Sequence, residues 1–186
     1  MSYRSGGPGP LETKFCSFDG ALALSDGAEI AGYASLFGAP DQGGDVVQAG
    51  AYGASLKRLA AARSGVKMLW QHDPATPIGV WDEVREDGRG LYVKGRLLLD
   101  VQAGREAHVL LQAGAIDGLS IGYRTVRAEK AAGGRRLLHE IELWEVSLVT
   151  FPMLPEARVG ADPVDLDPEL ARTLAESFRE ARRMLA

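Results

Sequence analysis

The stretch Gly118-Leu119-Ser120-Ile121-Gly122 has the G-x-S-x-G spacing that presents a serine hydroxyl between two residues without side chains. A hydroxyl becomes a useful nucleophile when a neighbouring base takes its proton, and that base is most often histidine. The chain contains three histidines, His72, His108 and His139. His72 ends the run Leu69-Trp70-Gln71-His72, and the Asp73-Pro74 that follows is expected to stop a strand there and leave the imidazole at a rim. At a rim His72 is either a base or an exposed loop residue. His108 lies within a helical pattern and reads as a surface or partly packed residue. His139 shares its alternating face with Leu137, Ile141, Leu143, Glu145, Ser147, Val149 and Phe151, while Glu140 and Glu142 point the other way. Glu145 is therefore a carboxylate on an apolar face, at a cost on the order of several kcal/mol unless it finds a partner. That partner is an imidazole it orients, an arginine such as Arg124, or water at a rim.

Ser120, His72 and Glu145 together supply an attacking hydroxyl, a base and an orienting acid. They meet only if the ends of three strands converge. Taken alone, Ser120 is also readable as a small residue in a glycine-rich strand entry. An esterase elbow needs a strand before the serine and a helix after it, whereas here the alternation runs on through Val126. A metal hydrolase using His72, Asp73 and His139 is disfavoured because no two histidines have i, i+4 spacing and no cysteine cluster exists. The lone Cys16 has no partner for a disulfide and reads as a small hydrophobe in a reducing, metal-free setting.

The elements that have to carry these residues can be traced by periodicity. Phe15–Leu24, Ala28–Phe37, Val66–His72, Ile78–Arg85, Leu91–Leu99, Ser120–Arg127 and Arg136–Phe151 read as strands, with Ala28–Phe37 buried on both sides. The last two are expected to pair as a hairpin across Ala131-Ala132-Gly133-Gly134. Gly38–Asp45 is rich in turn residues. Tyr52–Arg63 and Val101–Ala113 read as amphipathic helices, the second closed by Gly114 as a left-handed cap. A third helix is expected over Asp165–Ala186, with Asp165 or Asp167 as N-cap and Pro168 in the first turn.

The 186 residues leave room for one core with terminal extensions. The expected division is a flexible N-terminus over 1–13, one catalytic domain over 14–160 and a helical tail over 161–186. With 46% hydrophobic and 25% charged residues, the composition is that of a globular protein. No apolar run reaches the ~20 residues of a transmembrane helix, so a membrane role is not expected. The first ten residues lack the apolar core of a signal peptide, so export by the general pathway is not expected either. A net charge of -4 argues against nucleic acid as a partner, because gripping phosphates needs a basic footprint. Strands mostly follow strands, so the expected fold is mainly β with helices (α+β), a closed and largely antiparallel barrel.

Trp70-Gln71-His72, Gly118–Tyr123 and Glu140–Pro152, in this order and spacing, resemble the signature blocks of the tailed-phage prohead proteases. The resemblance spans roughly Phe15 to Val159. That family is similar in plan to the herpesvirus capsid-maturation protease assemblin, a closed barrel with surrounding helices. The resemblance implies a serine endopeptidase without cofactor or metal, enclosed in the immature capsid within the bacterial cytoplasm. Its implied partners are the major capsid protein, whose scaffolding segment it removes, and itself, by self-cleavage and possible dimerisation. It implies Ser120 as nucleophile and His72 as base. Glu145 takes the third place; His139 lies on the same face about 20 Å away along the strand, so both cannot reach His72. Gly118 and Gly122 would then let a substrate backbone approach Ser120, and the tail would dock on capsid or scaffold or be cleaved off. A noncatalytic capsid-assembly protein is the alternative from a different class.

Overall fold

The computed structural model describes residues 12–16, 28–152, 154, 157 and 159. The chain order is β1 (Glu12–Cys16), β2 (Glu29–Leu36), β3 (Asp45–Val47), α1 (Gly53–Ala61), β4 (Lys67–Trp70), β5 (Asp73–Glu86), β6 (Gly90–Leu97), α2 (Gln102–Gln112), β7 (Gly118–Lys130) and β8 (Arg136–Val149). The strands form one sheet in the order β1-β7-β8-β4-β5-β6-β2, with β3 added against β8. The β5–β6 and β7–β8 hairpins follow from alternating runs joined by glycine-bearing turns. Two pairings, β3 with β8 and β4 with β8, are parallel.

The sheet curls but stays open, which corrects the closed barrel expected from the sequence. Its path ends at β1 and β2. Among the described residues β2 and β7 form no ladder with each other; Val159 bridges to Gly32 and donates its N–H to the Asp117 carbonyl at 2.7 Å. Closure requires a continuous ladder with matched stagger, and strand number and length do not encode that.

The concave side holds the core. Ile30, Met68, Ile78, Leu91, Leu119, Ile121, Leu138 and Ile141 are all buried there, each contributing about 1.5–3 kcal/mol. In β2 the residues Ile30, Gly32 and Ala34 are buried while Ala31 and Tyr33 are half-buried, so the strand is less enclosed than its apolar sequence suggests. Helix α1 is fixed to β8 by the buried Ser55 hydroxyl, which accepts the Leu143 N–H at 2.9 Å. It ends in a left-handed residue, Arg63 at φ 50°, with the Ser64 N–H bonded to the Leu59 carbonyl. Helix α2 packs on β5 and β6 and is followed by Gly114 at φ 66°, the cap its sequence predicts. No helix among the described residues is long and apolar enough to cross a membrane.

Three local readings change. The turn-rich stretch before residue 45 leads into the short strand β3. Asp73-Pro74 does not end a strand but opens β5. Of the first expected strand, Phe15–Leu24, only Phe15 and Cys16 fall in β1, and 17–24 lie outside the described residues, as does the tail helix.

Candidate active site

Strand β8 is flanked by β7 running antiparallel and β4 running parallel. Ser147 stands opposite Ser120 on one side and Leu69 on the other, and Glu145 stands opposite Gly122 and Lys67. Directly paired residues of antiparallel neighbours share a face, so Ser120, Gly122, Glu145 and Ser147 point the same way. Burial is continuous here, from Gly118 to Tyr123 and from Glu145 to Val149.

His72 reaches this face from a tight turn. Trp70 pairs with Asp73, leaving Gln71 and His72 as a two-residue hairpin loop with φ 51° and 62°. Left-handed conformation at both positions matches the twist of the flanking strands, but it is usually met by Asn or Gly. Glutamine and histidine hold it at a cost of order 1–3 kcal/mol each. The surroundings fix the turn. The Gln71 N–H donates to the Leu148 carbonyl at 3.0 Å, and its side-chain amide donates to Thr150 Oγ1 at 2.7 Å. The Thr150 N–H returns a bond to Gln71 Oε1 at 3.4 Å, and the His72 N–H donates to Ser147 Oγ at 3.2 Å. On the far side the Asp73 carboxylate accepts the Thr76 hydroxyl at 2.6 Å and the Ala75 N–H at 2.9 Å. These two bonds, Thr76 first, hold the Asp73 carboxyl below its ordinary value.

The turn folds the imidazole back over the sheet. Nδ1 lies 2.5 Å from Glu145 Oε1 and Nε2 lies 2.6 Å from Ser120 Oγ. A carboxylate accepts, so Nδ1 carries the proton and donates; Nε2 then accepts the Ser120 hydroxyl. The second carboxylate oxygen of Glu145 accepts the Ser147 hydroxyl at 2.6 Å. Glu145 is 4% exposed and Ser120 0% exposed, so the group lies away from bulk water. An oriented imidazole within a hydrogen bond of a serine hydroxyl can remove its proton as the oxygen attacks a carbonyl.

The structure brings Ser120, His72 and Glu145 together and leaves the other candidates apart. Arg124, the possible arginine partner of Glu145, pairs with Glu142 instead, at 2.5 and 2.9 Å. His139 lies 3.5 Å from Glu129, and His108 is half-buried on α2. Cys16 ends β1. Ser120 is the third residue of a strand that continues to Lys130, so no strand-to-helix elbow exists.

The glycines flanking Ser120 do different work from that expected. A Cβ on Gly122 would collide with the Glu145 carboxyl group, so its bare backbone is the space through which Glu145 reaches His72. A Cβ on Gly118 would meet the Val149 carbonyl and the Pro152 ring. Sequence reasoning missed this use of Gly122 and, though it placed Ser147 on the face of Glu145, gave it no role. The signal for Ser147 was present: it lies two residues from Glu145 on the same otherwise apolar face.

A model of the caudovirus prohead serine protease family matches residues 19–169. The prohead protease of Enterobacteria phage HK97 is 32% identical over 133 residues, covering 70% of this chain and 58% of that protein. The capsid polyprotein of Pseudomonas phage PAJU2 is 33% identical over 128 residues, covering 64% of this chain and 18% of that protein. The chain thus spans less than two thirds of each of these relatives. Among solved structures, the bacteriophage T4 capsid assembly protease matches with a TM-score of 0.57 at 16% identity, covering 75% of this chain and 96% of that one. That last likeness is one of fold.

Proposed function

The chain belongs to the caudovirus prohead serine protease family, and on that premise we propose that it is a serine endopeptidase of prohead maturation with Ser120, His72 and Glu145 as its catalytic group. The observation that carries the reading is the unbroken hydrogen-bonded run from Ser120 Oγ through the His72 ring to Glu145. His72 Nε2 takes the hydroxyl proton as Ser120 Oγ attacks the scissile carbonyl. Glu145 holds the ring in the tautomer this needs and stabilises the imidazolium that forms. The proton then passes to the departing amine, and the acyl-enzyme is released by a water that His72 deprotonates in turn. Ser147 touches no substrate; it is a positioning residue that fixes the second oxygen of Glu145 and the backbone of His72.

The proposed substrate is the major capsid protein, from which a scaffolding segment is removed inside the immature capsid in the host cytoplasm. Self-cleavage would follow within the same compartment. The test is co-expression of the chain with its capsid protein, wild type beside Ser120→Ala, followed by intact mass of both proteins. Loss of an N-terminal capsid segment with wild type alone is expected. Equal processing with both, or none in either while proheads assemble, overturns the reading in favour of a noncatalytic assembly role.

A further inference from the structure

Positive charge gathers over one short stretch of an otherwise acidic chain. From Gly53 to Lys67 the sequence holds Lys57, Arg58, Arg63 and Lys67 and no carboxylate, against a net charge of -4 for the whole. Arg58 and Arg63 lie at and just beyond the end of α1, where cations suit the negative pole of a helix. Lys67 lies on β4 and has no carboxylate partner among the described residues. Arg58 and Lys67 line an open cleft of about 400 Å³ together with Leu59, Ala62, Glu142 and Trp144. The Glu142 carboxylate is taken by Arg124 at 2.5 and 2.9 Å, and Arg58 approaches Glu140 at 3.8 Å. The cleft is therefore positive. Trp144 is the extra residue of a β-bulge, because Glu145 stands opposite Gly122 and Leu143 opposite Tyr123, with nothing on β7 left to pair with it. The bulge turns its indole out of the strand's alternation and leaves it 44% exposed at the cleft. On the other edge of β8 the described strands pair with 136–138 and 145–148, so 142–144 border the cleft with no strand alongside.

Resting on the protease reading above, we propose that this cleft is a substrate-docking site for an acidic, partly apolar stretch of polypeptide, separate from the catalytic group and acting beside it. Arg58 and Lys67 pair with carboxylates, while Trp144, Leu59 and Ala62 offer apolar surface to the residues between them. Lys67 stands opposite Glu145 and Glu145 opposite Gly122, so two strand spacings of about 4.8 Å separate the edge of the cleft from β7. With the two residues from Gly122 to Ser120 added, the span is about 12 Å, or three to four residues of extended chain. A segment held in the cleft keeps the bonds next to it at high effective concentration beside Ser120. The Glu142 carboxylate in the lining disfavours a continuous phosphate backbone, and a polypeptide is what the neighbouring serine is read to cut. The chain itself contains a stretch of this chemistry. Residues 161–169 carry Asp162, Asp165, Asp167 and Glu169, with Val164 and Leu166 between them and no cation.

The experiment uses the full chain and, as probe, a synthetic peptide of residues 160–170. The host carries Ser120→Ala, so that the probe is not cut, and Asp162→Asn, Asp165→Asn, Asp167→Asn and Glu169→Gln, so that its own segment does not compete. Calorimetry is expected to show binding that weakens as salt is raised, with a change in indole fluorescence that is lost in Trp144→Phe. The same peptide with its four acids made amides is expected to bind roughly tenfold more weakly or worse, an arm that needs no further variant. Lys67→Glu with Arg58→Glu is expected to cost the acidic peptide at least as much. Equal affinity for both peptides, or a fluorescence change that survives Trp144→Phe, overturns the proposal. So does a single-stranded oligonucleotide of equal charge that displaces the peptide and binds roughly tenfold more tightly, which assigns the cleft to nucleic acid. With Ser120 and the tail restored and the capsid protein co-expressed, the Lys67→Glu and Arg58→Glu chain is expected to process it roughly tenfold more slowly than wild type. Processing at the wild-type rate by that chain overturns the proposal alone. Peptide binding as expected, with no processing by wild type while proheads assemble, overturns the protease reading instead.

Discussion

Strand β8 carries a buried carboxylate network near each end. Towards its start, Asp45 of β3 is 6% exposed and accepts Arg136 Nε at 2.8 Å and a second guanidinium nitrogen at 2.6 Å. The Tyr123 hydroxyl adds a bond at 3.1 Å. Towards its other end, Glu145 is equally enclosed but is held by an imidazole and a hydroxyl. A bidentate guanidinium keeps its proton under all ordinary conditions, so the Asp45 network is electrically fixed and ties β3 to β8. An imidazole can gain a proton and lose it again. Two carboxylates of like burial, one on β3 against the start of β8 and one on β8 near its other end, therefore do different work, and the partner decides which.

The sharpest way to break this comparison is at the proposed nucleophile. Ser120→Ala and His72→Ala should each lower kcat/KM for capsid-peptide cleavage by roughly 10⁴–10⁶-fold. The melting temperature of Ser120→Ala should shift little, because the core around it is unchanged, whereas His72→Ala strips the buried Glu145 carboxylate of its imidazole partner and should lower it. Next comes the carboxylate pair itself. Glu145→Gln should lower kcat roughly 10⁴-fold by releasing the tautomer of His72. Asp45→Asn should instead leave kcat unchanged and lower stability by about 2 kcal/mol, the worth of a hydrogen bond to a charged group. Urea titration beside steady-state kinetics separates the two, and an equal loss of kcat in both variants would erase the distinction. Ser147→Ala sharpens it further. Loss of the hydroxyl on Glu145, at about 1.5–3 kcal/mol, should lower kcat roughly 10–100-fold at constant KM. Ser147→Thr, which keeps the hydroxyl, should restore most of it.

The smaller effects lie around the turn and away from both networks. The Asp73 carboxyl sits below its ordinary 3.8 when folded. A depressed value means that its contribution is complete above the unfolded value and is lost as pH falls through the folded one. The melting-temperature gap between wild type and Asp73→Asn should therefore shrink on acidification below about pH 4. Smallest is Arg63→Gly. It relieves a left-handed residue at the end of α1 and should raise the melting temperature by roughly 2–4 °C, corresponding to about 1 kcal/mol, without change in kcat.

What the sequence disclosed was whatever periodicity and residue type can carry. The runs Gly118–Lys130 and Arg136–Val149 were visible as a hairpin because their alternation is long, and Glu145 stood out because it breaks an apolar face. The Gln71–His72 turn was not visible, because neither residue is a usual occupant of a left-handed loop and only contacts with Leu148, Thr150 and Ser147 hold it. Misreading that turn made Asp73-Pro74 look like a strand end. Gly122 looked like access for a substrate because its true neighbour, Glu145, is set by a register between distant strands. β3 has three residues, too few for any period to register. The open seam escaped for a similar reason. Whether β2 reaches β7 is a property of the whole curl, and no segment of either strand records it.

The parallel seating of β4 beside β8 also sets a timetable. Parallel neighbours cannot be joined by a hairpin, and the contacts of His72 with Ser120 and Glu145 span 48 and 73 positions of chain. Contacts of such separation form late, after shorter loops have closed. β8, which supplies Glu145 and Ser147, is the last of the described strands to leave the ribosome. A nascent chain thus carries His72, and then Ser120, without the strand that aligns them until β8 has emerged.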